Sequence, residues 1–461
     1  MSNYYKILIN NLVGFIRFSR HSSSFFVVKR LYSHHTEQAL KNFPVSGSPL
    51  PQEFIRVLAL IKEHAAKVNG ELGVISKEHA RRIANAAAMI KKGKHIDQFP
   101  VDIFQTGSGT STNMNMNEVI ASLASSRGGT IHPNDHVNRC QSSNDVIPTA
   151  MQIAVALEAR DRLIPAMLLL IKELSKKEKE FSSIIKIGRT HLMDAVPVRL
   201  GDEFRSYASL MIQSIESVMQ AIEKLYVLPL GGTAVGTGIN ASPKFAGKVI
   251  AALEKATGLP LEKTDDHIAA QSCPLALKAM SGALSEVAIA LSKIANDIRL
   301  MGSDSLAELL LPALQAGSSI MPGKVNPVLC ESIEQVALRV IGSDSIVTNA
   351  LMQGSRFELN TCLPLITNEL LYSIKLLTNI STLFAEKCVR GLRANTTIIN
   401  DRLERSAMLA TALAPEIGYE KAAEIAKEAQ EKKETILEVA SRRTNIPKAK
   451  LKKLLDLEQM V

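Results

Sequence analysis

The segment Gly317-Ser318-Ser319-Ile320-Met321-Pro322-Gly323-Lys324-Val325-Asn326-Pro327 places an ammonium, a carboxamide and two adjacent hydroxyls on one short stretch. Its Gly, Ser and Pro content marks a loop, and long helical patterns flank it on both sides. Reactive groups on a loop held by a rigid scaffold suit chemistry. A fixed cation and an amide donor stabilise negative charge that develops during a reaction. A serine hydroxyl is too weak a base unless backbone N–H groups and a cation hold its oxyanion, which makes Ser318 beside Lys324 one reading. A solvated connection with a surface lysine is the other. Three more polar clusters stand elsewhere: Ser108, Gly109 and Thr110; Ser142, Ser143 and Asn144; Thr190 and His191. Glu331 lies just beyond the loop in a charge-poor stretch, either facing solvent or buried with a partner.

The elements that must position these groups are mostly helices. Phe54, Val57, Leu58 and Ile61 start a helical pattern that runs from about Gln52 to Ala88. Phe104 to Asn117 reads as an irregular polar stretch, with helix resuming over Glu118–Ala124, and Arg127-Gly128-Gly129 reads as a turn. Ser143 and Asn144 are N-cap candidates, with Asp145 in the first turn, for a helix running towards Lys176 and kinked at Pro165. Further long helices are expected over about Gly201–Leu225, Leu275–Met301 and Val328–Leu351. In the Leu275–Met301 helix, Lys278, Glu286, Lys293 and Asp297 fall within a stripe roughly 100° wide. The rest of its surface is almost all apolar or small, so it must be covered on several sides, most naturally by other subunits. Glu420–Ala440 reads as one charged amphipathic helix with Glu/Lys pairs three and four apart. Ile184–Ile187 and Val227–Leu230 carry the best strand signals.

Composition narrows the function classes. The 461 residues suit two or three domains, and the core must be aliphatic because aromatics are 4% and Trp is absent. No uncharged apolar run reaches the roughly 18–20 residues of a membrane span. The five cysteines, scattered and without a CxxC, suggest free thiols. Of the net charge of +9, residues 1–36 supply five units without one Asp or Glu. The remainder has no basic stripe with interleaved aromatics, so neither nucleic acid nor membrane is expected as a partner. The basic, Ser-containing, acid-free N-terminus resembles an organelle transit peptide; an ordinary extension is the alternative. His132 and His136 are four apart, but Pro133 and the lack of a third ligand argue against a metal. With no HExxH, dinucleotide fingerprint or P-loop, no cofactor is expected.

The string GSSIMPGKVNP matches the signature of the fumarase/aspartase superfamily. Phe104–Glu118, Gln141–Asp145, Gly188–Ala195 and Leu230–Gly238 resemble its other boxes, so the likeness spans roughly residues 36–440. Thr190-His191 where aspartases have Thr-Gln, Pro322-Gly323-Lys324 where they have Pro-Ala-Lys, and Ser142-Ser143-Asn144 where they tend to have Ser-Thr-Asn point to class II fumarases.

The resemblance implies a mainly α, three-domain fold whose central long-helix bundle forms the core of a homotetramer, with each site drawn from three subunits. Its implied division is an N-terminal extension (1–35), an N-terminal helical domain (36–131), a central bundle (132–385) and a small C-terminal helical domain (386–461). The implied activity is reversible hydration of fumarate to (S)-malate through an aci-carboxylate, as in the tricarboxylic acid cycle. Ser318 would be the base, Lys324 the cation for the developing dianion, His191 the group that activates or protonates water, and Glu331 its partner. Ser108, Gly109, Thr110, Ser142, Ser143, Asn144, Thr190, Ser319 and Asn326 would bind substrate. His132, Pro133, Asn134 and Asp135 match a second anion site. An aspartate ammonia-lyase or an inactive structural homologue are the alternatives. The compartment is expected to be the cytoplasm, or the mitochondrial matrix if residues 1–35 are a transit peptide.

The chain departs from the family at three places. Ala121–Ile131 is several residues short. Tyr32–Thr36 replaces the usual entry motif. Gly302–Glu308 has lost the proline, arginine and glycines of the turn that helps set loop mobility.

Overall fold

The structure is a computed structural model that describes residues 30–125 and 129–461. Most of the transit-peptide-like extension and most of the Arg127–Gly129 turn therefore lie outside the described residues. The chain is mainly α. Helices α1 (His34–Asn42), α2 (Gln52–Glu71), α3 (Lys77–Lys91) and α4 (Thr110–Ser125) come first. Then follow α5 (Ser143–Glu158), α6 (Ile164–Glu180), the hairpin β1 (Ile185–Thr190) and β2 (Met193–Arg199), α7 (Leu200–Lys224) and α8 (Phe245–Thr257). The long helices α9 (Leu275–Met301), α10 (Val328–Gly354) and α11 (Leu363–Lys387) complete the middle of the chain. Helix α6 packs on α7, α7 on α9, α9 on α10, α10 on α11, and α11 returns to α6. This closes a five-helix bundle that gives the site a rigid frame.

Helix α9 has the predicted bounds, and its inward positions, from Leu277 and Met280 to Ile294 and Ile298, are buried. It is long and apolar enough to cross a membrane by length and composition alone, but most of it packs inside the bundle. Its outer positions Leu275 and Ile289 are 66% and 60% exposed, and Leu338 on α10 is 75% exposed. One chain therefore leaves several apolar positions of the bundle uncovered.

Local chemistry explains where the elements differ from expectation. The Gln52–Ala88 pattern is two helices, because Gly73 takes φ +70° and the Ser76 hydroxyl then caps α3 by accepting from His79 N–H. The polar stretch before Glu118 is helical from Thr110. Several of its polar groups find partners outside the helix: Gln105 Oε1 accepts from Thr112, and Asn115 donates to the Gln98 carbonyl. Glu118 accepts from Ser33, His35 and Thr36. The N-cap of α5 is Ser142, one residue before the predicted pair, with Asp145 closing a capping box. The expected break near Pro165 is a π-helical turn over Ala159–Leu163, and Pro165 starts the next helix, where its missing N–H costs nothing. The Glu420–Ala440 pattern is two helices, α12 (Tyr419–Lys432) and α13 (Ile436–Arg443). They part at Lys433, φ +56°, before Thr435 caps the second.

The C-terminal region has a core of its own around Leu413, Ile425, Val439 and Leu451, and Ile185 and Ile187 of β1 belong to that core. The hairpin that ends in Thr190 and His191 is thus held by the C-terminal helices as well as by the bundle.

Candidate active site

Ser108, Thr110 and Ser143 form one chain of hydroxyls. Ser108 Oγ lies 2.7 Å from Thr110 Oγ1, which lies 2.7 Å from Ser143 Oγ. Asn144 Nδ2 donates to the Ala234 carbonyl at 2.7 Å, bringing the 231–234 turn alongside. A cavity of about 370 Å³ opens there, lined among others by Thr110, Asn113, Asn138, Ser142, Ser143 and Thr233. Gly109 leads into α4 at φ +74°, and a Cβ there would press on Ile147 at 3.0 Å.

Asp145 fastens this wall from behind. Its carboxylate, fully buried, accepts from Ser142 N–H at 2.9 Å and from Gly231 and Thr233 N–H at 3.0 Å. Burial pushes its pKa up, against three N–H bonds that favour the ionised form. One carboxylate therefore ties the start of α5 to the 231–233 turn.

The 317–327 loop is bonded chiefly to itself. Gly317 N–H donates to the Lys324 carbonyl and Asn326 Nδ2 donates to the Gly317 carbonyl. A Cβ on residue 317 would meet the Lys324 carbonyl at 2.6 Å, so this closure needs glycine. Ser318 Oγ accepts from Ile320 N–H at 3.1 Å and Met321 N–H at 2.9 Å. Those are the backbone donors a serine oxyanion requires. Ser319 and Lys324 are exposed, and Glu331 is exposed in the first turn of α10.

Thr190 and His191 end the hairpin. Thr190 pairs with Met193, so His191 and Leu192 are its two turn residues, at φ +55° and +61°. Two left-handed residues are what a tight two-residue hairpin demands, and they push the His191 side chain outward. Among the described residues, no hydrogen bond or ion pair within the protomer joins His191, Lys324 or Glu331 to the hydroxyl wall or to one another. At the predicted second anion site, His132 Nδ1 accepts from Asp135 N–H, and Asn134 lines the same cavity as Ser142. His136 stacks on His79 at 4.5 Å; burial first, then the His79 charge, lowers its pKa. Among the described residues no group of His, Cys, Asp and Glu could hold a metal ion.

Residues 27–342 match a lyase family model and residues 409–461 match the fumarase C C-terminus model. The chain is 46% identical over 433 residues to the class II fumarate hydratase of Xylella fastidiosa, covering 93% of this chain and 91% of that one. It is 49% identical over 412 residues to that of Mycobacterium tuberculosis, covering 88% and 87%. The chain belongs to the class II fumarase family. Its fold superposes on the class II fumarase of Schistosoma mansoni with a TM-score of 0.91 at 38% identity, covering 94% of this chain and 96% of that one.

Two groups of residues in this fumarase-family chain escape sequence reasoning. One is a buried ion cluster at the departing turn. Glu308, 1% exposed, receives Arg189 Nη2 at 2.7 Å and Lys186 Nζ at 3.2 Å, and Lys186 also reaches Glu203 at 3.0 Å. The Gly302–Glu308 turn thus ends on the carboxylate that grips the His191 hairpin. Ala307 enters it at φ +48°, where glycine would be unstrained. The other is the lining of the cavity by Asn113, Asn138 and Thr233, with Lys62 hydrogen-bonded behind Asn138.

Proposed function

We infer that this chain is a fumarate hydratase that interconverts fumarate and (S)-malate. The observation that carries the reading is Ser318 Oγ receiving two backbone N–H donors in a loop that also presents Lys324 and Asn326. In the malate-to-fumarate direction, the Ser318 oxyanion takes the proton from the carbon next to one carboxylate. The electron pair moves into that carboxylate, giving an aci-carboxylate dianion that Lys324 and Asn326 stabilise. The hydroxyl on the adjacent carbon leaves as water, protonated by His191 with Glu331 as its partner. The Ser108–Thr110–Ser143 chain, with Gly109, Ser142, Asn144, Thr190 and Ser319, holds the substrate's carboxylates. Hydration is the reverse.

Because one protomer leaves the hydroxyl wall, the hairpin tip and the loop unjoined, the complete site is assembled between copies. The exposed apolar positions on α9 and α10 support a homotetramer whose sites each draw on three subunits. Fumarate loss followed by ultraviolet absorbance, with malate identified as the product, tests the activity. Folded tetramer without malate formation overturns it, and ammonia released from aspartate would favour the aspartase reading. Light scattering on the eluting protein tests the stoichiometry. We assign the enzyme to the cytoplasm; a mature N-terminus starting near residue 36 in purified native protein would assign it to the mitochondrial matrix instead.

A further inference from the structure

Lys62 has no solvent exposure, yet among the described residues it is not in an ion pair. Among those residues its Nζ donates to Asn138 Oδ1 at 2.9 Å. The same oxygen accepts from Asn113 Nδ2 at 3.1 Å, and Asn138 Nδ2 donates to the Gln141 carbonyl at 3.1 Å. Asn113, Asn138 and Gln141 all line the cavity next to Ser142 and Ser143. The ammonium therefore stands one hydrogen bond behind the wall, in an interior where charge is poorly screened.

We propose that Lys62 is the buried cation of this pocket: it positions Asn138 and takes up a proton when a dicarboxylate dianion enters. The inference rests on the fumarate hydratase reading. An empty, buried site disfavours the charged lysine, and burial lowers the Lys62 pKa to about 7, opposed by the nearby Asp145. A dianion across the wall favours the charged form. Several other charges around α2 are paired with one another. Glu63 is paired with Lys67 of α2 and Lys91 of α3, and Lys248 of α8 reaches Glu71. Asp145 of α5 is the carboxylate whose field reaches Lys62. His64, on the same helix, is held low by burial against the opposing pull of Glu63. Arg139 lines the cavity itself.

The sign follows. Below pH 7 Lys62 is already charged in the empty pocket, so binding takes up little. Above pH 7 the empty pocket holds neutral lysine and the filled one holds ammonium, so binding takes up a proton and weakens as pH rises.

The experiment is calorimetric titration of the whole assembled enzyme with succinate, a diacid that cannot be hydrated, in buffers of different ionisation enthalpy. At pH 8 the buffer dependence should report about 0.8 proton taken up per site, falling towards zero at pH 6. Lys62→Met should abolish the uptake and weaken succinate binding at pH 6 about tenfold or more. If Lys62→Met does not fold, the wild-type series still decides. Histidine uptake would peak between pH 6 and 7 and vanish by pH 8.5, whereas lysine uptake persists there. Succinate binding without buffer dependence at pH 8, or uptake undiminished in Lys62→Met, overturns the inference while leaving the activity standing. No succinate binding and no fumarate turnover would sink both.

Discussion

The wall around Ser108, Thr110, Ser142 and Ser143 is fastened from behind, whereas the 317–327 loop is fastened mainly to itself. Behind the wall lies a fully buried carboxylate, Asp145, with three backbone donors. Behind Ser318 there are two N–H groups from its own loop, and the surrounding side chains are largely exposed. The wall can bind without reorganising, which favours affinity. The loop can move as a unit without breaking the bundle, while Gly317 and the N–H pair keep its internal shape. Binding and bond-making are thus placed on parts of different stiffness.

The largest expected effect tests the loop. Ser318→Ala should lower turnover by about 10²–10⁴-fold while succinate binding stays intact; full turnover would remove Ser318 from the chemistry. Asp145→Ala tests the wall. It leaves three buried N–H groups without an acceptor, which should cost about 3 kcal/mol or more, read as a lowered unfolding midpoint. An unchanged midpoint would mean that the wall is not held by Asp145. Ser143→Ala cuts the hydroxyl chain and should raise KM about 10–100-fold, roughly the worth of one hydrogen bond to a charged group, with a smaller change in kcat. A fall confined to kcat would contradict the assignment to binding.

Acid should separate the Ser33–Thr36 segment from the central bundle. Burial opposes ionisation of Glu118, but bonds from Thr36, Ser33 and His35 outweigh it and hold its pKa below the usual value. A depressed carboxyl stabilises the fold above its unfolded pKa of about 4.3 and loses that contribution as pH falls through the folded value. Amide protection factors at residues 33–36 should therefore fall below about pH 4, before those in the central bundle do. The smallest effect lies at the root of the loop. Ala307→Gly relieves a left-handed alanine and should stabilise by about 0.5–1 kcal/mol, seen as a slightly higher midpoint. A lower midpoint would mean that the Gly302–Glu308 turn depends on the alanine side chain.

Much of the frame was legible because its signals are local. The charge stripe of α9 and the Pro327 start of α10 need only helical periodicity and proline stereochemistry. The break at Gly73 and the left-handed Lys433 were not legible, because a glycine or lysine inside a periodic pattern does not announce its φ. Helix α4 was hidden for a different reason. Asn115, Asn117 and Glu118 look solvent-facing until the groups that satisfy two of them, the Gln98 carbonyl and the Ser33–Thr36 segment, are brought alongside. The hydroxyl boxes could be named from their residue types, but not their order of contact.

By itself the sequence determined a mainly α chain, its long helices and a set of family boxes rich in hydroxyl, amide and imidazole groups. Those follow from periodicity, capping and residue chemistry, which act over a few positions. Only the tertiary structure decided that Lys62 and Asp145 are buried within reach of each other's field and that Glu308 grips the hairpin of His191. Burial and long-range pairing create those relations, because a charge changes its behaviour only once neighbours from distant segments have displaced its water.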